Sequence, residues 1–361
     1  MRVAILTNNA NSYPRPMGLG LQRMLAKGDI DSDVITDGWD RIQRPPENSL
    51  SSFKDIITLK PFRTVINERR KAQFLKKLAD YDVIVVVSHM PAAYMRYFLD
   101  DEVVRDALAG RPLLLYDLVY LPTRGGWTEA LQKGDSSLGI PEGGHWGIDR
   151  YDWHLCVSVV SEFALPKEPQ PCNIIGLDID DGTLFPEQDE FRALIDFERP
   201  EFAVERRIQI EALERAEIPY TELKGSYTIA EIRAIYRKSA VYFIAFRESF
   251  GLPICEVQTC GGLIATPYSN WVPSHWLKED LHIPGPGRLG ANFLIYDNDV
   301  NKLTEMLQKA KAEWNAQIVR QSFFKEYPHY FSGDIEALKQ AIDCALTQPN
   351  RPGSNQAKVI A

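Results

Sequence analysis

The stretch Val241–Pro267, VYFIAFRESFGLPICEVQTCGGLIATP, decides the fold. Val241, Phe243, Ile244 and Phe246 form an apolar, β-rich run as long as a buried strand. Arg247-Glu248-Ser249-Phe250-Gly251 breaks that run with polar residues and a glycine. Pro253 suits the first turn of a helix, where its missing N–H is no loss. Cys255, Glu256, Val257 and Gln258 carry the helix to the turn Gly261-Gly262, and Leu263-Ile264-Ala265-Thr266 reads as the next strand. Strand, helix and strand in so few residues imply parallel strands joined by a right-handed crossover. The loop from Arg247 to Leu252 then lies at the carboxyl end of its strand and beside a helix N-terminus. That is where open α/β sheets bind ligands and where free N–H groups meet anions. Gly251 lets a ligand approach the backbone closely. Glu248 and Glu256 flank the pocket.

Composition sets the frame around this unit. A chain of 361 residues with 45% hydrophobic content suits two α/β domains with full cores. The net charge of −8 speaks against a general nucleic-acid surface. Five cysteines without a CxxC spacing point to reduced thiols and a cytoplasmic protein. MRVAILTNN reads as a first strand rather than an export signal, and no run reaches the length of a membrane span.

Along the first half, strands are expected at Arg2–Leu6, Asp33–Thr36, around VIVVVS before His89, within LLLYDLVYL around Asp117, and at Leu155–Val160. Gly18-Leu19-Gly20 precedes a helical stretch, Leu21–Lys27. Arg23 stands where a dinucleotide fingerprint needs its third glycine, so a Rossmann cofactor motif is rejected. Phe62–Ala79 has helical apolar spacing, and Lys60–Lys77 carries seven basic residues and one acidic. Such a helix either touches an anionic surface, as a peripheral contact at the inner face of a membrane, or is a solvated face. His89 at the end of its strand is a candidate for the cleft. The long segment Leu121–Asp152 holds Trp127 and Trp146, which with Tyr151 and Trp153 either offer ring faces to a ligand or pack beneath a loop. His145 and His154 lack the company of a third ligand, so no metal site is expected. A Pro-rich stretch, Pro166–Pro171, marks the boundary between domains 1–170 and 171–347, with 348–361 a polar, disordered tail. Asp178-Ile179-Asp180-Asp181 is read as a polar turn at the domain opening. Lys224, at the end of a strand Tyr220–Leu223, is a candidate nucleotide contact.

The motif E-S-F-G-L-P-x-x-E followed by C-G-G-x-I-A-T resembles the Glu-x7-Glu signature of retaining GT-B glycosyltransferases of the family 4-like group. The likeness extends over most of residues 173–307 and is looser before them. It implies two Rossmann-like α/β domains facing a cleft, with the first holding an acceptor and the second a nucleotide sugar. The donor is then a substrate, and no cofactor or metal is needed. The implied reaction is transfer of a sugar, in a hexosyltransferase-like manner, from a nucleotide diphosphate sugar to an acceptor hydroxyl of a carbohydrate, glycan or glycolipid. The anomeric configuration would be retained. The same resemblance puts Glu248 at the donor sugar and Glu256 at the ribose, with Ser249, Phe250, Gly251 and Leu252 around the donor. It further places Arg199, with Arg206 or Arg207, at the diphosphate, and Gly18 and Gly20 facing the cleft. Asp117 falls where many members have a His-Asp pair, although Tyr116 precedes it here. Alternatives are a nucleotide-sugar epimerase or phosphorylase on the same fold, a catalytically inactive scaffold, or a two-lobed binding protein.

Overall fold

Runs such as Val83–Val87 are apolar at every position, so both faces of the strand must be covered, as in a parallel sheet between two layers of helix. The computed structural model describes residues 1–7, 14–36, 69, 71–87, 102–119, 151–158, 172–244, 248, 250–267, 273–279 and 287–347. Six strands, Arg2–Leu6 (β1), Asp31–Ile35 (β2), Val83–Val87 (β3), Leu113–Val119 (β4), Trp153–Ser158 (β5) and Cys172–Ile174 (β6), form one sheet. Their order is β2-β1-β3-β4-β5-β6, and every pairing is parallel. A second sheet contains Ala193–Ile195 (β7), Tyr220–Glu222 (β8), Val241–Phe243 (β9), Leu263–Thr266 (β10) and Phe293–Ile295 (β11). It is also wholly parallel, in the order β11-β10-β9-β7-β8. The expected α/β architecture of two Rossmann-like sheets is the observed one.

Both sheets are covered on both faces. In the first, Val3, Ile5, Val85 and Leu114 meet the helix Pro14–Lys27 (α1) through Leu21, Met24 and Leu25. The opposite residues Ala4, Ile84, Val86 and Leu115 meet Phe74, Leu75 and Leu78 of the helical segment 71–78, and Val104 and Leu108 of Glu102–Leu108 (α2). In the second, Ala193, Val241 and Ala265 pack on Ala203–Arg215 (α3) and Val300–Glu313 (α6). Its other face meets Ile229–Arg237 (α4), Leu252–Thr259 (α5) and Ala316–Glu326 (α7). A capping box between Thr228 and Glu231 starts α4. The last helix, Ile335–Thr347 (α8), returns to the first sheet and packs against α1, β5 and β6. Among the described residues no helix is long and apolar enough to cross a membrane.

Three expectations change here. Gly18 and Gly20 lie inside α1, which starts at Pro14, and not in a loop ahead of it. A Cβ on Gly20 would stand 2.3 Å from the Asp178 carbonyl oxygen, so this glycine lets the helix touch the chain crossing to the second sheet. Asp178 is not a solvated turn residue, because its side chain is fully buried. It pairs with Arg23 (3.0 Å) and Lys27 (2.6 Å) one helical turn apart, so Arg23, the residue that excluded a dinucleotide motif, fastens α1 to the crossing segment. The segment 71–78 is only partly a solvated face, since Lys71 is buried while Lys76 and Lys77 are exposed. All five cysteines are free thiols, with Cys156 and Cys172 Sγ atoms 3.5 Å apart across β5 and β6.

Gly20→Ala is therefore expected to cost about 1–3 kcal/mol, because backbone on both sides must move. Gly18→Ala, whose Cβ would meet only side chains, Thr7 at 3.3 Å and Ile5 at 3.5 Å, should cost much less. Urea denaturation of the two variants checks the contrast, and equal stabilities would contradict the packing.

Candidate active site

The strand order of the second sheet reverses at β7. From β7 the chain crosses to β8 on one side, and then returns to place β9 on the other. Ligands of open parallel sheets bind outside the carboxyl ends of the strands at such a switch point. Three adjacent strand ends present side chains there. β9 leads to Glu248 and Gly251, β7 to Asp196 and Arg199, and β8 to Glu222 and Lys224.

Glu248 and Gly251 lie between the end of β9 and the start of α5. Ile244 extends the pairing by donating its N–H to the Ala265 carbonyl at 3.1 Å, and α5 begins at Leu252. Gly251 caps the helix with φ of 69°, a conformation that costs a side-chain-bearing residue dearly. Any Cβ there would also lie 2.7 Å from Glu248 Cγ and 2.8 Å from Ile254 Cδ1. The glycine thus lets the Glu248 side chain lie across the turn. Phe250, expected beside the donor, instead turns inward and is buried. Its ring stacks on His275 at 5.3 Å and meets Tyr330 edge-on at 5.1 Å. Leu252 is half-buried at the first helical position.

Glu256 lies within α5 and is buried. Its Oε1 accepts from Arg233 Nε at 2.9 Å and Nη2 at 2.6 Å, while Oε2 has no hydrogen bond among the described residues. Arg233 also reaches Asp181 Oδ2 at 2.5 Å and Thr183 Oγ1 at 2.9 Å. Burial pushes the Glu256 carboxyl above its ordinary range against the pull of Arg233. Asp181, less deeply placed, is held below its ordinary range by its bonds to Thr183 and Arg233, which outweigh its burial. The Asp-rich stretch Asp178–Asp181 thus supplies partners for cations on two helices, α1 and α4. Among the described residues no cluster of His, Cys, Asp or Glu has the makings of a metal site.

The basic residues divide by depth. The Arg206 guanidinium is buried, bound to Glu222 Oε2 at 2.6 Å and to the Asp196 carbonyl at 2.7 Å, and so joins the end of β7 to β8. Arg199 is exposed just past the end of β7, and Lys224 is exposed past β8 with its Nζ 3.2 Å from Glu222. Asp196 is buried between them, and burial raises its pKa.

In the first sheet Asp117 is buried within β4, on the face opposite Tyr116. It lies near Tyr151, whose ionisation it opposes together with burial. Tyr151 and Trp153 are packed inside, and Trp153 Nε1 donates to Asn173 at 2.9 Å, so neither ring is offered to an acceptor. His89, Trp127, Trp146 and Ser249 lie outside the described residues. The sequence reading passed over His275, Tyr327 and Tyr330, which close around Phe250. A lone histidine in a loop segment gives no sign in sequence of the aromatic residues that will surround it.

Two solved structures share this architecture. An α-glucosyltransferase in complex with UDP-glucose and DNA containing an abasic site aligns with a TM-score of 0.54 at 12% identity, covering 96% of this chain and 99% of that one. The catalytic domain of starch synthase IV from Arabidopsis thaliana, bound to ADP and acarbose, aligns with a TM-score of 0.55 at 11% identity, covering 96% and 99%. No family model matches the chain, and no curated protein matches it in sequence. The likeness is one of fold, that of the GT-B enzymes.

Two outcomes test this arrangement. Arg233→Met, which strands a buried carboxylate, is expected to lower stability by about 3–5 kcal/mol in urea denaturation. A loss below about 1 kcal/mol would mean that the pair is dispensable. The second outcome concerns pH. Burial lowers the pKa of His275 to about 3 and that of His329 to about 4, both from 6.5. The unfolded chain then binds more protons, so stability is full above 6.5 and falls as pH drops through the window down to those values. Between pH 7.5 and 5.5 the two rings together should cost about 2–3 kcal/mol. Unchanged denaturation midpoints over that range would contradict their burial.

Proposed function

We propose that the protein is a glycosyltransferase that moves a sugar from a nucleoside-diphosphate donor to an acceptor hydroxyl, with retention at the anomeric carbon. The observation that carries the reading is the turn at the end of β9. There Glu248 lies against a glycine of positive φ, at the N-terminus of α5 and at the switch point of a GT-B fold.

The chemistry follows from charge. As the glycosidic bond to the diphosphate breaks, negative charge grows on the leaving phosphate and positive charge on the sugar. The N-terminus of α5 favours the anion. Arg199 and Lys224, on neighbouring strand ends, are the side chains that add to it, and a planar guanidinium can bond two phosphate oxygens at once. Glu248 would repel the diphosphate, so its place is at the sugar, where it accepts hydrogen bonds from hydroxyls and favours the cationic glycosyl group. Glu256, held through Oε1, keeps Oε2 as an acceptor for a ribose hydroxyl. The reaction needs no metal in this reading, and free thiols accord with the cytoplasm. The acceptor is a carbohydrate or glycolipid hydroxyl.

A thermal-shift panel of nucleotide sugars tests the donor. A ligand at a hundred times its dissociation constant should add about 2.7 kcal/mol of stability. If no nucleotide or nucleotide sugar moves the melting curve, the reading fails. With a donor in hand, Glu248→Gln should raise the barrier to transfer by about 2–4 kcal/mol and leave affinity for the bare nucleotide nearly unchanged. Turnover near that of the unaltered protein, at saturating donor and acceptor, would remove Glu248 from the mechanism.

A further inference from the structure

His275 is fully buried, and it sits in a box of aromatic rings formed by Phe250, Phe293, Tyr327 and Tyr330. One edge of its ring makes a single polar contact, 2.7 Å from Nε2 to the carbonyl oxygen of Phe250. A carbonyl can only accept, so the proton is on Nε2. The other nitrogen, Nδ1, is buried with no hydrogen-bond partner in the structure, so it is the unprotonated acceptor of a neutral ring. The imidazole therefore has one fixed tautomer and one use. That use is at the peptide preceding Gly251.

We propose that His275 is a positioning residue for sugar transfer, which orients the Phe250–Gly251 peptide so that the Gly251 N–H and Glu248 face the donor. The inference rests on the transfer reading for what the turn holds. A trans peptide is planar, and its N–H points opposite to its C=O. Drawing the Phe250 oxygen into the buried box therefore directs the Gly251 N–H away from it, out at the N-terminus of α5. Gly251 has φ of 69°, where neighbouring peptide orientations are close in energy for glycine, so an external bond is what selects one. Glu248 depends on the same choice, because its Cγ lies against Gly251.

The box is itself anchored. Tyr327 donates its hydroxyl to the His275 carbonyl at 2.6 Å, and Tyr330 donates to the Ser274 carbonyl. Ser158, at the carboxyl end of β5 in the first sheet, meets the Tyr330 hydroxyl and lies 3.2 Å from the Ser274 carbonyl. Through these bonds the edge of the first sheet holds the histidine that holds the turn of the second.

His275→Phe keeps a ring in the box and removes the donor, whereas His275→Gln retains an N–H donor. At saturating donor and acceptor, kcat of His275→Phe should fall at least about tenfold with the acceptor KM unchanged, and His275→Gln should recover part of the loss. A merely structural ring would impair the Gln variant more than the Phe variant, and in melting temperature rather than kcat. A kcat for His275→Phe within about twofold of the unaltered protein, or no recovery in His275→Gln, would overturn the proposal. Nitrogen-15 NMR of the imidazole in the full chain reads the hydrogen bond without turnover. A neutral Nε2–H ring at pH 6 is expected, and an Nδ1–H or charged ring overturns the assignment even if neither variant folds. Should the unaltered protein transfer no sugar at all, the transfer reading falls, and the peptide-orienting bond stands or falls on the NMR signal.

Discussion

A glycine at φ of 69° between β9 and α5 is the constraint on which the site depends. A residue with a side chain pays a conformational cost at that φ, and any side chain at Gly251 would strike Glu248 and Ile254. The turn so formed puts a carboxylate and a helix N-terminus side by side. In the proposed transfer their charges would favour opposite ends of one bond, the glycosyl group on one side and its leaving phosphate on the other. The inward-facing Phe250 belongs to the same geometry: its ring enters the core, its carbonyl meets His275, and the Glu248 side chain is half-buried beside Gly251.

Around this turn the structure sorts its charges by depth. Arg23, Arg206 and Arg233 each bind a carboxylate and join separate segments: α1 to the crossing chain, β7 to β8, and α4 to α5. A buried ion is tolerable only when its donors are satisfied, and a guanidinium can serve several acceptors at once. Arg199 and Lys224, by contrast, stand exposed at strand ends, where desolvation does not oppose a new anionic partner. Exposed cations at the strand ends suit the diphosphate of the proposed donor.

The two sheets share more than a linker. α8 returns to α1, β5 and β6 of the first sheet, and Ser158 touches the aromatic box of the second. Such contacts hold the first sheet in register with the turn that carries Glu248. In the proposed reaction they supply proximity, which contributes as much to rate as any single charged group.

The periodicity of the sequence determined a good deal by itself. Apolar runs such as VIVVV and VYF, with Pro253 and the glycine turn after the helix, fixed parallel strands and the position of the turn, because these signals act over a few residues of chain. The turn at Gly251 was legible for the same reason. Local pattern is silent about partners distant in sequence, and these only the tertiary structure decided. It turned Gly18 and Gly20 from a loop into a helix, with Gly20 packed against Asp178, and it made a buried clasp of an apparent polar turn. It committed Arg206 to Glu222 and Glu256 to Arg233, and gathered His275 and Tyr330 around Phe250. Whether a charge is a surface residue, a clasp or a ligand contact depends on its burial and on the one partner within reach, and both are set by packing between segments far apart in the chain.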